Sequence, residues 1–394
     1  MVSLNQKQKK ALMWTLLMVA LTNMPSLALS PATEQIRTFF DIPLATVQTA
    51  MSFTNVIQIG VSLIAMYLIN RGILTKKAAV VAGQSGFVLT VIFVLLFHKH
   101  FWSVWCLSSL IGCSTGLFVT NAFAIMFDMF TPDERQKIAG YQTSCINGGG
   151  IAMSLVGGAL AGVCWYGGYL VFSIGIVMAI LGILFIPSYK SPRTASAEKR
   201  SRIDKKVFFY AVGQLLFMMC YCVVGQNLST HLKTNFDNYS ALAGVCSSIQ
   251  MAGGVCTGLF FGRISPKLKD NMMVLACVCL AVGFLLLSLF SACLPMILIA
   301  AFLAGSSISM FNPWATYGVS VYSNPGNSAI TSVIISSIAP SSGGFLSPVV
   351  FTNVTNALVP GSTVFRYRFV GAVVLILAIV IFILNRADKS KKQV

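Results

Sequence analysis

Amide and aromatic side chains occur together at two places in this sequence, both inside long apolar stretches. One group contains Tyr221, Gln226 and Asn227, and the other contains Asn312 and Trp314. Small-molecule sites commonly combine flat apolar rings with a few hydrogen-bonding groups in this way. Single amides stand in other apolar stretches: Asn23, Gln58, Asn121, Gln142 and Gln250. We predict that these side chains bind a small organic molecule, the alternative being hydrogen bonds between helices.

Ionisable side chains are placed differently from the amides. The ten acidic residues and the three histidines lie near the ends of the apolar stretches or between them. A charge deep in a membrane is costly and usually functional. The distribution therefore argues against a buried carboxylate relay and against an intramembrane enzyme, which needs acid–base or metal chemistry. Three groups at stretch ends are the candidates for proton binding: Glu34, Asp128 and His231.

No cofactor or metal is expected from the sequence. The pair His98 and His100 has ligand chemistry, but a short wet loop between two apolar stretches explains it better. The eleven cysteines lie mostly within apolar stretches and include no CxxC pair. They are therefore interpreted as small packing residues.

Membrane-spanning helices must carry these residues. The chain has 394 residues, of which 56% are hydrophobic and 9% are charged, and about 20 apolar residues cross a bilayer as a helix. Twelve stretches fit this length: 11–31, 46–69, 78–97, 102–127, 139–163, 165–187, 207–230, 241–262, 272–291, 293–318, 328–352 and 365–385. The sequence predicts an all-α membrane protein with twelve transmembrane helices.

The net charge of +17 follows a membrane pattern. With the amino terminus in the cytoplasm, 22 of the 27 basic residues fall in segments on the cytoplasmic side. This is the positive-inside rule, and it predicts that both termini are cytoplasmic. The same placement argues against nucleic acid as a partner and makes the lipid bilayer the expected one.

A basic hydrophilic segment, 188–206, separates two parts of the chain, 1–187 and 207–394. Each part holds six predicted helices, so the two share one orientation in the membrane. They also repeat in sequence, since the dipeptide containing Gln58 recurs with Gln250 at an offset of 192 residues. We predict two parallel six-helix bundles joined by a cytoplasmic linker.

Several segments resemble the major facilitator superfamily, and the resemblance covers nearly the whole chain. The segment LINRGILTKKAAV is similar to the family's signature between helices 2 and 3 and contains Arg71, although Asn70 replaces its Asp. The segment GLFFGRISPKLKD repeats the signature with Arg263, and FDMFTPDERQKIAGYQ is similar to the connection between helices 4 and 5. The resemblance implies that Arg71 contacts Asp128 and latches the cytoplasmic side, the alternative being a solvated ion pair.

The resemblance also implies an architecture around a central cavity. In the family, helices 1, 4, 7 and 10 line that cavity, and the two bundles rock about it. Leu107 stands near the position of an Arg that proton-coupled members often carry, so proton coupling and simple facilitation both stay open. Glycine runs, among them 148–150 and 343–344, are expected at the seam between the bundles.

Together these expectations describe a monomeric solute carrier of the cytoplasmic membrane, and not an enzyme. It is expected to move a small neutral or amphipathic organic molecule by alternating access. An organic anion is the alternative solute, with Arg37 or the pair Arg366 and Arg368 at the outer mouth. The alternative from another class is a receptor-like membrane protein that moves no solute.

Overall fold

The computed structural model describes residues 5–130, 132–189, 204–268, 271–322, 331 and 333–391. The elements in these residues are all helices. The chain forms two compact units, Met1–Ser196 and Ala197–Val394, and each has a hydrophobic core of its own. Residues 190–203 of the predicted linker lie outside the described part.

The first unit begins with a broken helix. Helix α1 covers Gln6–Ala20, and the chain continues after the break as α2 (Ser26–Leu29), a 3₁₀ turn (Ser30–Ala32) and α3 (Thr33–Phe40). Pro25 lies at the break and has no N–H to donate to a preceding carbonyl, which explains the interruption. Asn23 lies in the same break.

Longer helices complete this unit. They are α4 (Leu44–Asn70), α5 (Lys76–Phe97), α6 (Trp102–Met129) and α7 (Pro132–Ala161). The last apolar stretch consists of α8 (Gly167–Leu170), a 3₁₀ turn (Val171–Ile174) and α9 (Gly175–Phe185).

The second unit contains four regular helices, then one irregular stretch and a final long helix. Its regular helices are α10 (Lys205–Lys233), α11 (Tyr239–Leu268), α12 (Met272–Leu289) and α13 (Leu294–Tyr322). The next stretch alternates a π turn (Ile334–Ile338), α14 (Ala339–Ser347), a second π turn (Pro348–Thr352) and α15 (Asn353–Leu358), and α16 (Thr363–Lys391) ends the chain. Pro340 and Pro348 each remove a backbone donor here, and the π turns adjust the hydrogen bonding around them.

Ten helical segments of the described chain are long and apolar enough to cross a membrane. They overlap the second to tenth predicted spans and the twelfth. The other two predicted spans, 11–31 and 328–352, coincide with the stretch broken near Pro25 and with the stretch of π turns. The all-helical, multi-pass fold is confirmed, whereas the count of twelve and the side of the termini stay predictions.

Glycines bring the backbones of two helices together in each unit. Gly116 of α6 lies against α4, where an added Cβ would be 2.8 Å from the carbonyl oxygen of Gln58. Gly305 of α13 lies against the carbonyl of Gln250 in α11, with even less room. The two glutamines that suggested a sequence repeat therefore take part in corresponding helix–helix contacts.

Candidate functional site

The predicted amides of the first unit lie on separate elements. Asn23 is in the break after α1, Gln58 is on α4, Asn121 on α6 and Gln142 on α7. The side chain of Asn121 donates to the carbonyl of Leu117 in its own helix, at 2.6 Å. Gln142 is buried. The described contacts of these residues do not join them to one another.

A further buried amide of this unit was missed by the sequence analysis. Gln84 of α5 is fully buried, and its Nε2 donates to the hydroxyl of Thr22 at 3.0 Å. This hydrogen bond ties α5 to the chain just before the break at Asn23. Gln84 could have been identified as an amide within an apolar stretch, but the resemblance does not place its helix at the cavity.

In the second unit, α10 contacts α13 through an amide pair and a ring pair. The Nε2 of Gln214 donates to Oδ1 of Asn312 at 2.5 Å. One turn away, the rings of Phe217 and Phe311 stack with centroids 4.0 Å apart. Asn312 therefore has a hydrogen-bond partner on α10, the helix that also carries three of the predicted binding residues.

The other predicted binding residues of this unit have similar interhelical contacts. The side chains of Tyr221 and Gln250 hydrogen-bond each other, which joins α10 to α11. The Nε2 of Gln226 donates to the carbonyl of Gly344 in α14 at 3.2 Å. Trp314 is the exception, because it packs against Tyr317 of its own helix α13 at 5.3 Å between centroids.

A buried arginine lies in the first turn of α16. Arg366 is only 1% exposed. Its Nε donates to the hydroxyl of Thr355 at 2.9 Å, its Nη1 to Oδ1 of Asn227 at 2.5 Å and its Nη2 to Oδ1 of Asn356 at 2.7 Å. Side-chain oxygens thus replace water around the guanidinium, as burial of a charge requires.

The two arginines that the organic-anion alternative places together at the outer mouth differ in exposure. Arg368 is exposed, but Arg366 points into the unit and joins α10, α15 and α16.

His231 is buried as well, whereas the sequence placed it beyond the end of its helix. Helix α10 continues to Lys233, and His231 has no exposed surface. Its Nδ1 lies 2.9 Å from the hydroxyl oxygen of Thr363. The ring meets Tyr367 edge-on, with centroids 5.0 Å apart.

Glu34 on α3 is a buried ionisable group of the first unit. It is 1% exposed, and one carboxylate oxygen lies 3.1 Å from Nη1 of Arg37. The side chain of Arg37 is 42% exposed, so this ion pair runs from the interior to the surface. Glu34 is therefore buried within the protein, while its place near the end of a spanning stretch stays a prediction.

Asp128, close to the end of α6, binds Lys76 instead of Arg71. Its Oδ2 lies 2.6 Å from Nζ of Lys76 and accepts from the hydroxyl of Tyr189 at 2.5 Å. Burial, together with the hydrogen bond and negative charge of Asp128, raises the pKa of Tyr189, so the hydroxyl keeps its proton and stays a donor. The guanidinium of Arg71 lies over the ring of Tyr67 at 4.9 Å. In this structure Lys76 therefore occupies the place beside Asp128 that the resemblance gives to Arg71, and a latch by Arg71 stays a prediction.

Two remaining expectations concern Arg263 and the glycine runs. The side chain of Arg263 lies outside the described residues. Gly149 of α7 packs against the backbone of Leu21, and an added Cβ at Gly343 would be 2.6 Å from the carbonyl oxygen of Leu215. These glycines therefore pack helices within their own units, and a seam between the units stays a prediction.

Comparison with known families decides which class this architecture represents. The sequence model described as Major Facilitator Superfamily matches residues 11–348. The chain belongs to the major facilitator superfamily. No curated protein matches this superfamily member closely enough to add a relative.

Solved transporter structures share the fold of this superfamily protein. The POT family transporter PepTSo has a TM-score of 0.76 at 12% identity, covering 98% of this chain and 99% of its own. The nucleoside transporter NupG has a TM-score of 0.72 at 12% identity, covering 96% and 98%. A peptide transporter POT in complex with sulfate has a TM-score of 0.74 at 12% identity, covering 97% and 94%. The family and these structures together indicate a transporter.

Proposed function

We propose that this superfamily protein is a secondary transporter that carries a small organic solute across the cytoplasmic membrane by alternating access. The superfamily match over residues 11–348, with transporter structures similar over nearly the full chain, carries the proposal. In the proposed arrangement, twelve helices cross the membrane, both termini are cytoplasmic and a single chain is the working unit.

The proposed solute is neutral or amphipathic. Uncharged hydrogen-bonding groups and rings supply the proposed site: Asn23, Gln58, Asn121, Gln142, Tyr221, Gln226, Asn227, Gln250, Asn312 and Trp314. Gln142 and Gln214 each have a buried side-chain oxygen with no hydrogen-bond partner in the described part of the chain. Buried polar atoms normally have a partner, so these two oxygens are proposed to accept hydrogen bonds from the solute.

Coupling and gating are assigned to the ionisable groups. Glu34, Asp128 and His231 are the proposed proton-binding groups, and facilitated transport without protons is the alternative. Glu34 and His231 are buried, which supports them because buried ionisable groups in membrane proteins are commonly functional. Arg71 and Arg263 are proposed gating residues on the resemblance of their segments to the family signature.

Uptake into proteoliposomes tests the proposal. Purified protein is reconstituted and offered nucleosides and peptides, because the similar structures are named for these solutes. Neutral amphipathic metabolites and organic anions are offered as well. Uptake above that of protein-free liposomes is expected for one of these classes. Stimulation by an imposed pH gradient would select proton coupling, and equal uptake without a gradient would select facilitation. A solute that binds the protein but never crosses would favour the receptor alternative.

A further inference from the structure

Two polar contacts join the end of α10 to the start of α16. Asn227 and His231 are four residues apart on α10, while Thr363 and Arg366 are three apart on α16, so each pair lies on one face of its helix. Asn227 accepts from Arg366 at 2.5 Å, and the imidazole of His231 contacts Thr363 at 2.9 Å. We call these four residues the α10–α16 ladder.

The imidazole of His231 is enclosed by the second unit. It has no exposed surface, and its Nε2 has no hydrogen-bond partner among the described residues. The ring of Tyr367 covers one side at 5.0 Å between centroids. The hydroxyl of Tyr367 is likewise buried without a described partner.

The charged and titratable groups around His231 come from three helices. Arg366, on α16, is the charged member of the ladder, and Tyr367 follows it on the same helix. Cys246 of α11 lies in the same buried core as Tyr367. Lys233 ends the same helix as His231, but its ammonium lies over the ring of Tyr239 at 5.9 Å.

We propose that His231 is a proton-binding site and that its protonation separates the end of α10 from α16. A hydronium ion transfers a proton to the ring nitrogen that carries no hydrogen, so an N–H bond forms, an O–H bond of hydronium breaks and water is left. The resulting imidazolium has two donors and no acceptor. Its charge is buried in the same ladder as the guanidinium of Arg366, which is costly unless water enters. Opening of the ladder exposes the imidazolium to water and relieves that cost.

This proposal rests on the proposed function only where it gives the opening of the α10–α16 ladder a role in transport. In a transporter, a helix end that opens on protonation links proton binding to the movement of α10, which carries Tyr221, Gln226 and Asn227. A histidine is suited to this role because the charge of an unperturbed imidazole changes between about pH 5 and pH 8, and the cost of burying the imidazolium shifts opening of the ladder to more acidic pH. Opening itself is a property of the second unit and is measurable without any solute.

Amide hydrogen exchange on the full-length protein in lipid nanodiscs tests the proposal. Protection is measured for a peptide covering residues 226–233, corrected for intrinsic exchange, between about pH 8 and about pH 4, because burial of the imidazole moves its protonation to acidic pH. Wild-type protection is expected to fall about tenfold as the pH falls. The His231→Gln variant keeps a side-chain hydrogen-bonding group but does not titrate, and it is expected to show constant protection. Tyr367→Phe keeps the covering ring and should respond as the wild type does.

A direct titration keeps the test decisive if His231→Gln does not fold. In a His98→Gln/His100→Gln background, His231 is the remaining histidine of the 394-residue chain, and its ring signals report protonation by NMR. Protonation that accompanies the loss of protection supports the proposal. A pH response that persists in His231→Gln, or an imidazole that stays neutral while protection falls, would overturn it. Because no solute is present, failure of the uptake assay would leave this result intact.

Discussion

The ammonium of Lys76 lies 2.6 Å from the carboxylate of Asp128, although Arg71 is the basic residue that the family signature places near that carboxylate. Lys76 begins α5 and Asp128 is close to the end of α6, so the ion pair ties two helix ends of the first unit together. The hydroxyl of Tyr189 binds the same carboxylate oxygen, which connects this pair to the chain after α9.

Exchanging the charges of this pair tests whether it latches the helix ends. Lys76→Asp and Asp128→Lys are each expected to lower the unfolding temperature, because the remaining charge loses its partner. The side chains are 12% and 22% exposed, so the cost should lie between about 1 kcal/mol for a surface pair and about 3 kcal/mol for a buried pair. The double variant should recover most of the loss. Arg71→Asp is the matched control and should change little, since its side chain is exposed.

Neighbouring glycines of α7 give a second prediction. An added Cβ at Gly149 would collide with the backbone of Leu21, whereas nothing lies within 4 Å of one at Gly148. Gly149→Ala should therefore lower the unfolding temperature by forcing α7 away from the break, at a cost of about 1–3 kcal/mol for overpacking. Gly148→Ala should be neutral or stabilising by up to about 1 kcal/mol, because Ala favours a helix. Equal effects of the two substitutions would contradict the packing described for α7.

Substitutions of the amide pair Gln214 and Asn312 can distinguish a structural role of the pair from a role in binding solute. Asn312→Leu leaves the buried amide of Gln214 without its acceptor and should cost about 1–3 kcal/mol. The double variant Gln214→Leu/Asn312→Leu should regain much of that stability. Thermal unfolding of the four proteins of this cycle gives the coupling energy. If the pair also binds solute, the double variant will be stable yet show a raised KM in uptake. An unchanged KM would leave the pair a helix–helix contact only.

Arg366 and Arg368 form a matched pair on α16, since the first is buried and the second is exposed. Arg366→Lys keeps the charge but cannot reach three acceptors with one ammonium. We expect it to lower stability by at least about 2 kcal/mol, since hydrogen bonds to charged groups contribute roughly 1.5–3 kcal/mol each. Arg368→Lys should leave the unfolding temperature within about 1 °C of the wild type, as surface substitutions usually do. Equal losses for both variants would show that burial of Arg366 does not matter.

Most helical spans were predictable because apolar length is a local property of the sequence. The break at Pro25 could also be anticipated from its missing N–H. The partner of Asp128 could not be predicted from the sequence, because Arg71 and Lys76 are both basic and lie five residues apart in one connection. Only the path of the chain between α4 and α5 brings Lys76 to the carboxylate, and composition does not encode that path.

The burial of Arg366 could not be predicted from the sequence either. Its acceptors Thr355 and Asn356 lie just before the turn that leads into α16, and the chain must fold back for them to meet the guanidinium. Gly361 in that turn has a φ of 73°, a left-handed conformation that glycine adopts without strain. The polar residues were visible in the sequence, but their convergence depends on the turn and on the packing of α10. The amides of α10 were found because a polar group in an apolar helix is a strong local signal.

Solute counterflow measures the central claim most directly. Proteoliposomes are loaded with an excess of the unlabelled panel compound that binds best, and labelled compound is added outside without any ion gradient. A carrier that alternates between two openings will accumulate label transiently above equilibrium, and protein-free liposomes will not. Binding of the compound without this overshoot, across the whole panel, would contradict transport by this superfamily protein.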